Sequence, residues 1–271
     1  MMDRPLLLVG CGKMGGAMLE GWLEMGLPPE QIHIIEPYAP ISEELRGRGL
    51  GAVAAQPDLP ADLDPSVVLF AVKPQSMDEA ALAFAEYQSP NTTFLSIAAG
   101  KTISYFENIL GAEAAIVRSM PNTPAAVRRG ITVATPNTNV TDAHREICSN
   151  LLEAVGDVAW VSEEGLIDAV TALSGGGPAY VFLLTECMTQ AGIAAGLPAE
   201  LSSQLARVTV SGAGELMRQS DETPSTLREN VTSPGGTTAE ALRVLMADGG
   251  WQPLMTRAIS AATIRSRELA G

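Results

Sequence analysis

The stretch that most limits what this chain can become is Leu6-Leu-Leu-Val9, followed at once by Gly10-Cys-Gly-Lys-Met-Gly15. An unbroken apolar run of this kind describes a strand covered on both faces, as in a parallel sheet between two helix layers. The G-x-G-x-x-G opens a helical run over residues 14–25, closed by Gly26. A second apolar run, Ile32-His-Ile-Ile35, ends in Glu36. Strand, glycine turn, helix, strand and terminal acid at this spacing form the dinucleotide-binding fingerprint of an α/β fold. Gly10 permits the tight turn, Gly12 lets a pyrophosphate reach the backbone, and Gly15 lets helix and strand pack closely. Gly10, Cys11, Gly12, Lys13, Met14 and Gly15 are therefore expected to cradle the phosphates at a helix N-terminus. Glu36 stands where a carboxylate accepts hydrogen bonds from an adenosine ribose and repels a 2′-phosphate. The expected cofactor is NADPH or NADH, with the balance toward NADH.

The alternation continues through the first half. Val67-Val-Leu-Phe-Ala-Val72 is another buried strand, ending in Lys73-Pro-Gln75. Residues 92–98 form a further strand that ends in Ala99-Gly-Lys101, and helical stretches follow near 77–86 and 102–110. Both strand ends fall on the carboxyl edge of the sheet, where open α/β sheets bind ligands. Lys73 is read as a cofactor-edge residue in preference to a plain surface lysine. Residues 114–120 give one more strand. Pro121-Asn-Thr-Pro124 then turns the chain at the same edge, as a stiff loop suited to a nicotinamide or substrate or as a plain turn. Strands over 131–134 and 158–161, with a helix over 142–154 between them, complete a dinucleotide-binding domain expected to span residues 1–162.

From residue 163 to 271 the pattern is helical throughout, with runs over 165–173, 179–195, 199–218, 224–229 and 251–269. The segment 178–197 is interrupted by Glu186 and Gln190, so it reads as a buried helix and not as a membrane span. These helices carry few charges and are apolar nearly all round, more than a small domain can cover by itself. A homodimer through the helical half is the expected consequence. A formal charge of −14 argues against nucleic acid or an anionic membrane as partner. Cys11, Cys148 and Cys187 are far apart and odd in number, which fits neither a disulfide framework nor a metal motif. His33 and His144 are isolated, so structural or surface roles are expected for both and no metal is. The apolar run at residues 6–9 is too short for a secretory h-region, and a cytoplasmic location is expected.

The helical half carries one stretch with chemistry in it, Asn230-Val-Thr-Ser-Pro-Gly-Gly-Thr-Thr-Ala-Glu-Ala241. A turn runs into a helix with two bare glycines before it. Thr237 and Thr238 then set hydroxyls and free N–H groups at the helix start, where an anion is favoured. An ordinary capped helix would read the same way. Lysine is absent after Lys101 and histidine after His144, so the helical half offers no lysine acid/base of the β-hydroxyacid dehydrogenase kind. Reduction of a cyclic imine needs none, because a protonated imine is already electrophilic and keeps its proton. The protein has to align the C=N bond with a nicotinamide, and positioning of this kind supplies about 7–11 kcal/mol.

Seven motifs in order resemble the pyrroline-5-carboxylate reductase family over essentially the whole chain. They are Val9-Gly-Cys-Gly-Lys-Met-Gly15, Ala71-Val-Lys-Pro-Gln75, Ser96-Ile-Ala-Ala-Gly100, Met120-Pro-Asn-Thr-Pro-Ala125, Leu166-Ile-Asp-Ala-Val170, Leu173-Ser-Gly-Gly-Gly-Pro-Ala-Tyr180 and Ser233-Pro-Gly-Gly-Thr-Thr238. The resemblance implies a Rossmann-type domain followed by an all-α dimerisation domain of the 6-phosphogluconate dehydrogenase C-terminal type. It also implies an NAD(P)H-dependent reduction of 1-pyrroline-5-carboxylate to L-proline, the last step of proline biosynthesis. Carried residue by residue, Thr238 matches the threonine that hydrogen-bonds the ring nitrogen, and Ser233, Gly236, Thr237 and Thr238 match the cradle for the substrate carboxylate. Glu164 matches an acid near the substrate, and Asn230 a residue that reaches the cofactor. Ala71, Val72, Lys73, Pro74, Ala98 and Ala99 match the cofactor-lining strand ends. An interlocked homodimer is implied, with five dimers in a decamer in many members. The chain departs from the family at Glu36, where relatives often carry small hydroxyl residues, and at Ala55-Gln-Pro-Asp58, where they often carry an asparagine. The rival readings are a reductase of a six-membered cyclic imine on the same scaffold and a non-catalytic nucleotide-binding regulator.

Overall fold

The computed structural model describes residues 3–270 and divides into two compact units, residues 3–175 with 262–270, and residues 176–261. In the first unit eight strands form one sheet: β1 Leu6–Val9, β2 Ile32–Ile35, β3 Gly51–Val53, β4 Val67–Phe70, β5 Thr93–Ser96, β6 Ala115–Met120, β7 Gly130–Pro136 and β8 Gly156–Trp160. Their spatial order is β3-β2-β1-β4-β5-β6-β7-β8. Every neighbouring pair is parallel except β6 with β7. The order reverses at β1, between β2 and β4, which puts the ligand crevice of an open α/β sheet at the carboxyl end of β1.

The continuous apolar strands are explained by two cores, one on each face. Leu6 and Leu8 point to a core with Met18, Leu19 and Trp22 of α1 (Lys13–Glu24) and Leu151 and Leu152 of α5 (Asp142–Glu153). Leu7 and Val9 point the other way, toward Met77 and Ala81 of α3 (Met77–Ala83) and Ile103, Phe106 and Leu110 of α4 (Ile103–Leu110). Phe70 fills the second core, with Phe106 and Phe94 stacked at ring-centroid distances of 5.7 and 6.1 Å. Each such side chain contributes about 1.5–3 kcal/mol on burial.

Two elements were not legible in the chain. The helix α2 (Ala39–Gly47) and the three-residue β3 extend the sheet past β2, and β3 is too short to show a period. His144 lies in a capping box at the start of α5, where Thr141 Oγ1 accepts from His144 N–H. Burial lowers its pKa, in keeping with the expected structural role.

Past β8 come α6 (Leu166–Val170) and a π-helical turn over Thr171–Gly175. Residues 163–175 belong with the sheet, because α6 packs against β6 and β7 and Ser266 Oγ donates to Asp168 at 2.7 Å. The second unit holds α7 (Gly177–Ala194), α8 (Ala199–Gln219), α9 (Pro224–Asn230), α10 (Thr237–Leu245) and the first part of α11 (Trp251–Ala270). Here α7 and α8 form an antiparallel pair in which Ser202 Oγ donates to Thr189 O at 2.7 Å.

The expectation that α7 is a buried helix is corrected: none of its residues is buried in the protomer. Leu166–Ala194 is long and apolar enough to cross a membrane by length and composition, with mean hydropathy 1.3. The reason for the exposure is local. Only one helix, α8, packs extensively on α7 within the unit, and a helix apolar all round needs covering on every side.

Candidate active site

At the carboxyl end of β1 the glycine turn is shaped by what surrounds it. Gly10 has φ 93°, and a Cβ on it would lie 2.9 Å from Val72 Cγ1. A Cβ on Gly15 would lie 2.3 Å from Gly10 O, so α1 can start this close to β1 only without a side chain there. Gly12 differs, because a Cβ there would meet nothing within 4 Å. It is the N-cap of α1, with no side-chain cap and no acid in the first turn. An open space facing an uncapped helix start with no acid in its first turn fits a pyrophosphate.

Glu36 is buried, at 7 % exposure, and is no solvated loop acid. Its Oε2 accepts from Cys11 N–H and its Oε1 from Tyr38 N–H, both at 2.9 Å. The carboxylate thus braces the glycine turn from the end of β2 and is itself held in place. Burial, and secondarily Glu36, push the Cys11 thiol up to about 11. It stays protonated at neutral pH, in keeping with a residue that is no nucleophile.

Of the strand ends expected to line the cofactor, that of β4 lies beside this turn. Ala71 N–H donates to Val9 O at 2.8 Å, tying the end of β4 to β1. Val72 is half-buried, while Lys73 and Pro74 are exposed. Ala98, past the end of β5, is buried, and its N–H donates to Ser96 Oγ at 3.2 Å; Ala99 is exposed. The Pro121–Pro124 loop is stitched by Asn122, whose Oδ1 accepts from Ile131 N–H at 3.0 Å and whose Nδ2 donates to Ser174 O at 3.2 Å. That carboxamide ties the loop to the start of β7 and to the π-helical turn.

Arg118 escaped the sequence reading. It lies on β6 at 3 % exposure, and its Nη1 reaches Glu164 Oε1 at 2.7 Å. The same oxygen accepts from Ile103 N–H, at the first residue of α4, at 2.8 Å. Glu164, expected near the substrate, is thus engaged inside the nucleotide unit. One signal could have exposed Arg118: an arginine inside an otherwise apolar strand must find a buried acid.

Of the expected substrate residues, Ser233, Gly236, Thr237 and Thr238 lie together in the helical unit. Ser233 to Gly236 form a turn closed by Gly236 N–H to Ser233 O at 3.0 Å, with Gly235 at φ 68°, a conformation glycine adopts without strain. Gly236 is the N-cap of α10, again with no side-chain cap. Glu240, the acid of the first turn, is drawn to Arg243 at 3.0 Å. The Thr237 and Thr238 N–H groups are thereby left facing an anion-favouring space. Asn230, expected at the cofactor, donates to Glu222 Oε2 at 3.1 Å in the protomer.

A parallel sheet with the β3-β2-β1-β4-β5-β6 order and a bare glycine cradle, followed by a helical unit, defines a nicotinamide-dependent oxidoreductase of the two-domain type. A family described as NADP oxidoreductase, coenzyme F420-dependent, matches residues 6–100, and one described as pyrroline-5-carboxylate reductase dimerisation matches residues 164–269. The pyrroline-5-carboxylate reductase of Pseudomonas aeruginosa is 39% identical over 271 residues, covering 99% of this chain and 98% of that protein. That of Glycine max is 35% identical, covering 96% of this chain and 94% of that protein. The structure of the Coxiella burnetii enzyme superposes with a TM-score of 0.92 at 32% identity, covering 100% of both chains. The chain belongs to the pyrroline-5-carboxylate reductase family.

Proposed function

We propose that the chain reduces 1-pyrroline-5-carboxylate to L-proline, with hydride arriving at C5 of the ring. The observation that carries this is the intact Ser233–Thr238 turn at the uncapped start of α10, in a chain 39% identical to a reductase of that name. A nicotinamide supplies the hydride when bound. The chain's own residues bind and orient. The Thr237 and Thr238 N–H groups and the Ser233 hydroxyl receive the substrate carboxylate. The Thr238 hydroxyl accepts a hydrogen bond from the protonated ring nitrogen, which keeps its proton as the C=N bond takes up the hydride. No strong acid or base is required, in keeping with the lack of lysine and histidine in the helical half.

The dinucleotide cradle comprises Gly10, Cys11, Gly12, Lys13, Met14 and Gly15, with Ala71, Val72, Lys73, Pro74, Ala98 and Ala99 along its edge. A Plasmodium falciparum pyrroline carboxylate reductase with a TM-score of 0.82 and 29% identity was crystallised with NADP bound. In this chain Glu36 presents a buried carboxylate anchored by two N–H groups at the end of β2, which the fingerprint assigns to the ribose. Negative charge held there favours NADH over NADPH. Self-association follows from the dimerisation family and from the uncovered α7. A homodimer is the unit proposed, with a decamer of five dimers as its further assembly and a cytoplasmic location.

The test is oxidation of NADH and NADPH in parallel with pyrroline-5-carboxylate. Turnover with NADH preferred supports both the reaction and Glu36 as the discriminating charge. A strong NADPH preference keeps the reaction and sinks the reading of Glu36. No turnover with either redirects the search to six-membered imines. Thr238→Ala is expected to lower kcat by about 100-fold, the loss of one donor or acceptor aimed at the reacting atoms. Thr238→Ser should lose much less, and unchanged turnover in the alanine variant would remove Thr238 from the chemistry.

A further inference from the structure

The loop over residues 98–102 is held from several sides. Ile97 N–H donates to Phe70 O at 3.2 Å, and Thr102 Oγ1 accepts from Tyr105 N–H at 3.1 Å. Lys101 pairs with Asp78 on α3 at 3.1 Å and lies 4.0 Å from the centroid of the Tyr105 ring. Beside the loop is a cavity of about 480 Å³ bordered by Pro74, Ala99, Gly100, Lys101, Tyr105 and Leu269. Two of these, Pro74 and Ala99, are among the proposed cofactor-lining residues.

The remaining restraint is the part-buried ion pair between Arg118 and Glu164. The Arg118 guanidinium, at 3 % exposure, needs a fixed acid. Glu164 answers it at 2.7 Å, and the oxygen it uses also accepts from Ile103 N–H at 2.8 Å. Ile103 follows the loop directly, so the charge inside β6 is relayed to the point where the loop enters α4.

We propose that Arg118 and Glu164 are positioning residues for the cofactor: together they fix the end of the 98–102 loop, and through it the affinity for the dinucleotide. This rests on the cofactor reading of Ala98 and Ala99. It assigns Glu164 Oε1 to Arg118 and Ile103 in place of the substrate.

The test uses the full-length protein, with NADH and NADPH binding measured by calorimetry in the absence of substrate, alongside amide hydrogen exchange of the segment containing Ile103. Glu164→Gln keeps the shape and removes the charge. It is expected to weaken dinucleotide binding about tenfold, the effect of losing charge assistance in a part-buried hydrogen bond, and to speed exchange at Ile103. Arg118→Lys should act in the same direction. The double variant should be no weaker in binding than the worse single one, because the two residues act through one contact. Unchanged dinucleotide affinity in Glu164→Gln, with KM for the imine raised instead, would overturn the proposal and return Glu164 to the substrate. Additive losses in the double variant would overturn it as well. Should Arg118→Lys fail to fold, Glu164→Gln still decides. Dinucleotide binding without turnover on pyrroline-5-carboxylate would count against the proposed reaction and leave this inference standing.

Discussion

In the nucleotide unit the protomer itself buries Leu6, Leu7, Leu8, Val67, Val68 and Phe70 completely. In the helical unit Ser202 and Ala206 are the only buried residues, and Phe182, Leu183, Val208, Trp251 and Met255 lie exposed. The two units have similar apolar character, so composition does not separate them. Geometry does. A sheet flanked by helices closes a core on each face, whereas α7 and α8 give each other one contact face and leave the others open. The first unit covers its own core, and the second carries the exposed apolar surface in a region matched by a dimerisation family.

That contrast can be broken or sharpened by substitution. The largest effect is expected in the nucleotide core. Phe94→Ala, which removes a ring stacked on Phe70, should cost about 3–5 kcal/mol in denaturant unfolding, by the same amount at every protein concentration. A loss that varied with concentration would mean that the sheet too depends on assembly. Next comes Phe182→Asp on α7, at a residue 63% exposed in the protomer. It should weaken self-association by about 100-fold in sedimentation and leave dinucleotide binding intact, as truncating a buried interface aromatic does elsewhere. An unchanged association constant would take that face of α7 out of the interface. The smallest effect is expected from Arg243→Ala, which breaks the exposed pair with Glu240. Stability should move by less than about 0.5 kcal/mol. A larger loss would identify this end of α10 as part of the contact between copies.

Most of the nucleotide unit was readable because its signals are local. The buried strands announce themselves as unbroken apolar runs, and the glycines of residues 10–15 sit where the backbone has to turn or be bared. The Ser233–Thr238 turn was readable for the same reason: proline, two glycines and two threonines define both a turn and the start of a helix. Arg118 and Asn122 were harder. Each works through a partner dozens of positions away, Glu164 for one and Ser174 for the other, and sequence spacing carries no trace of such pairs.

By itself, then, the chain determined its α/β class, the glycine turn after β1, the terminal acid at Glu36 and the turn before α10, since all of these follow from a few neighbouring residues. The tertiary structure alone decided that Glu36 is anchored by Cys11 and Tyr38, that Glu164 is committed to Arg118 and the start of α4, and that α7 is left uncovered. The physical reason is the same in each case. Local conformation is fixed by propensity and backbone sterics within a turn or two. Which hydrogen-bond partner a carboxylate takes, and how much of an apolar helix is covered, depend on chain segments that only folding brings together.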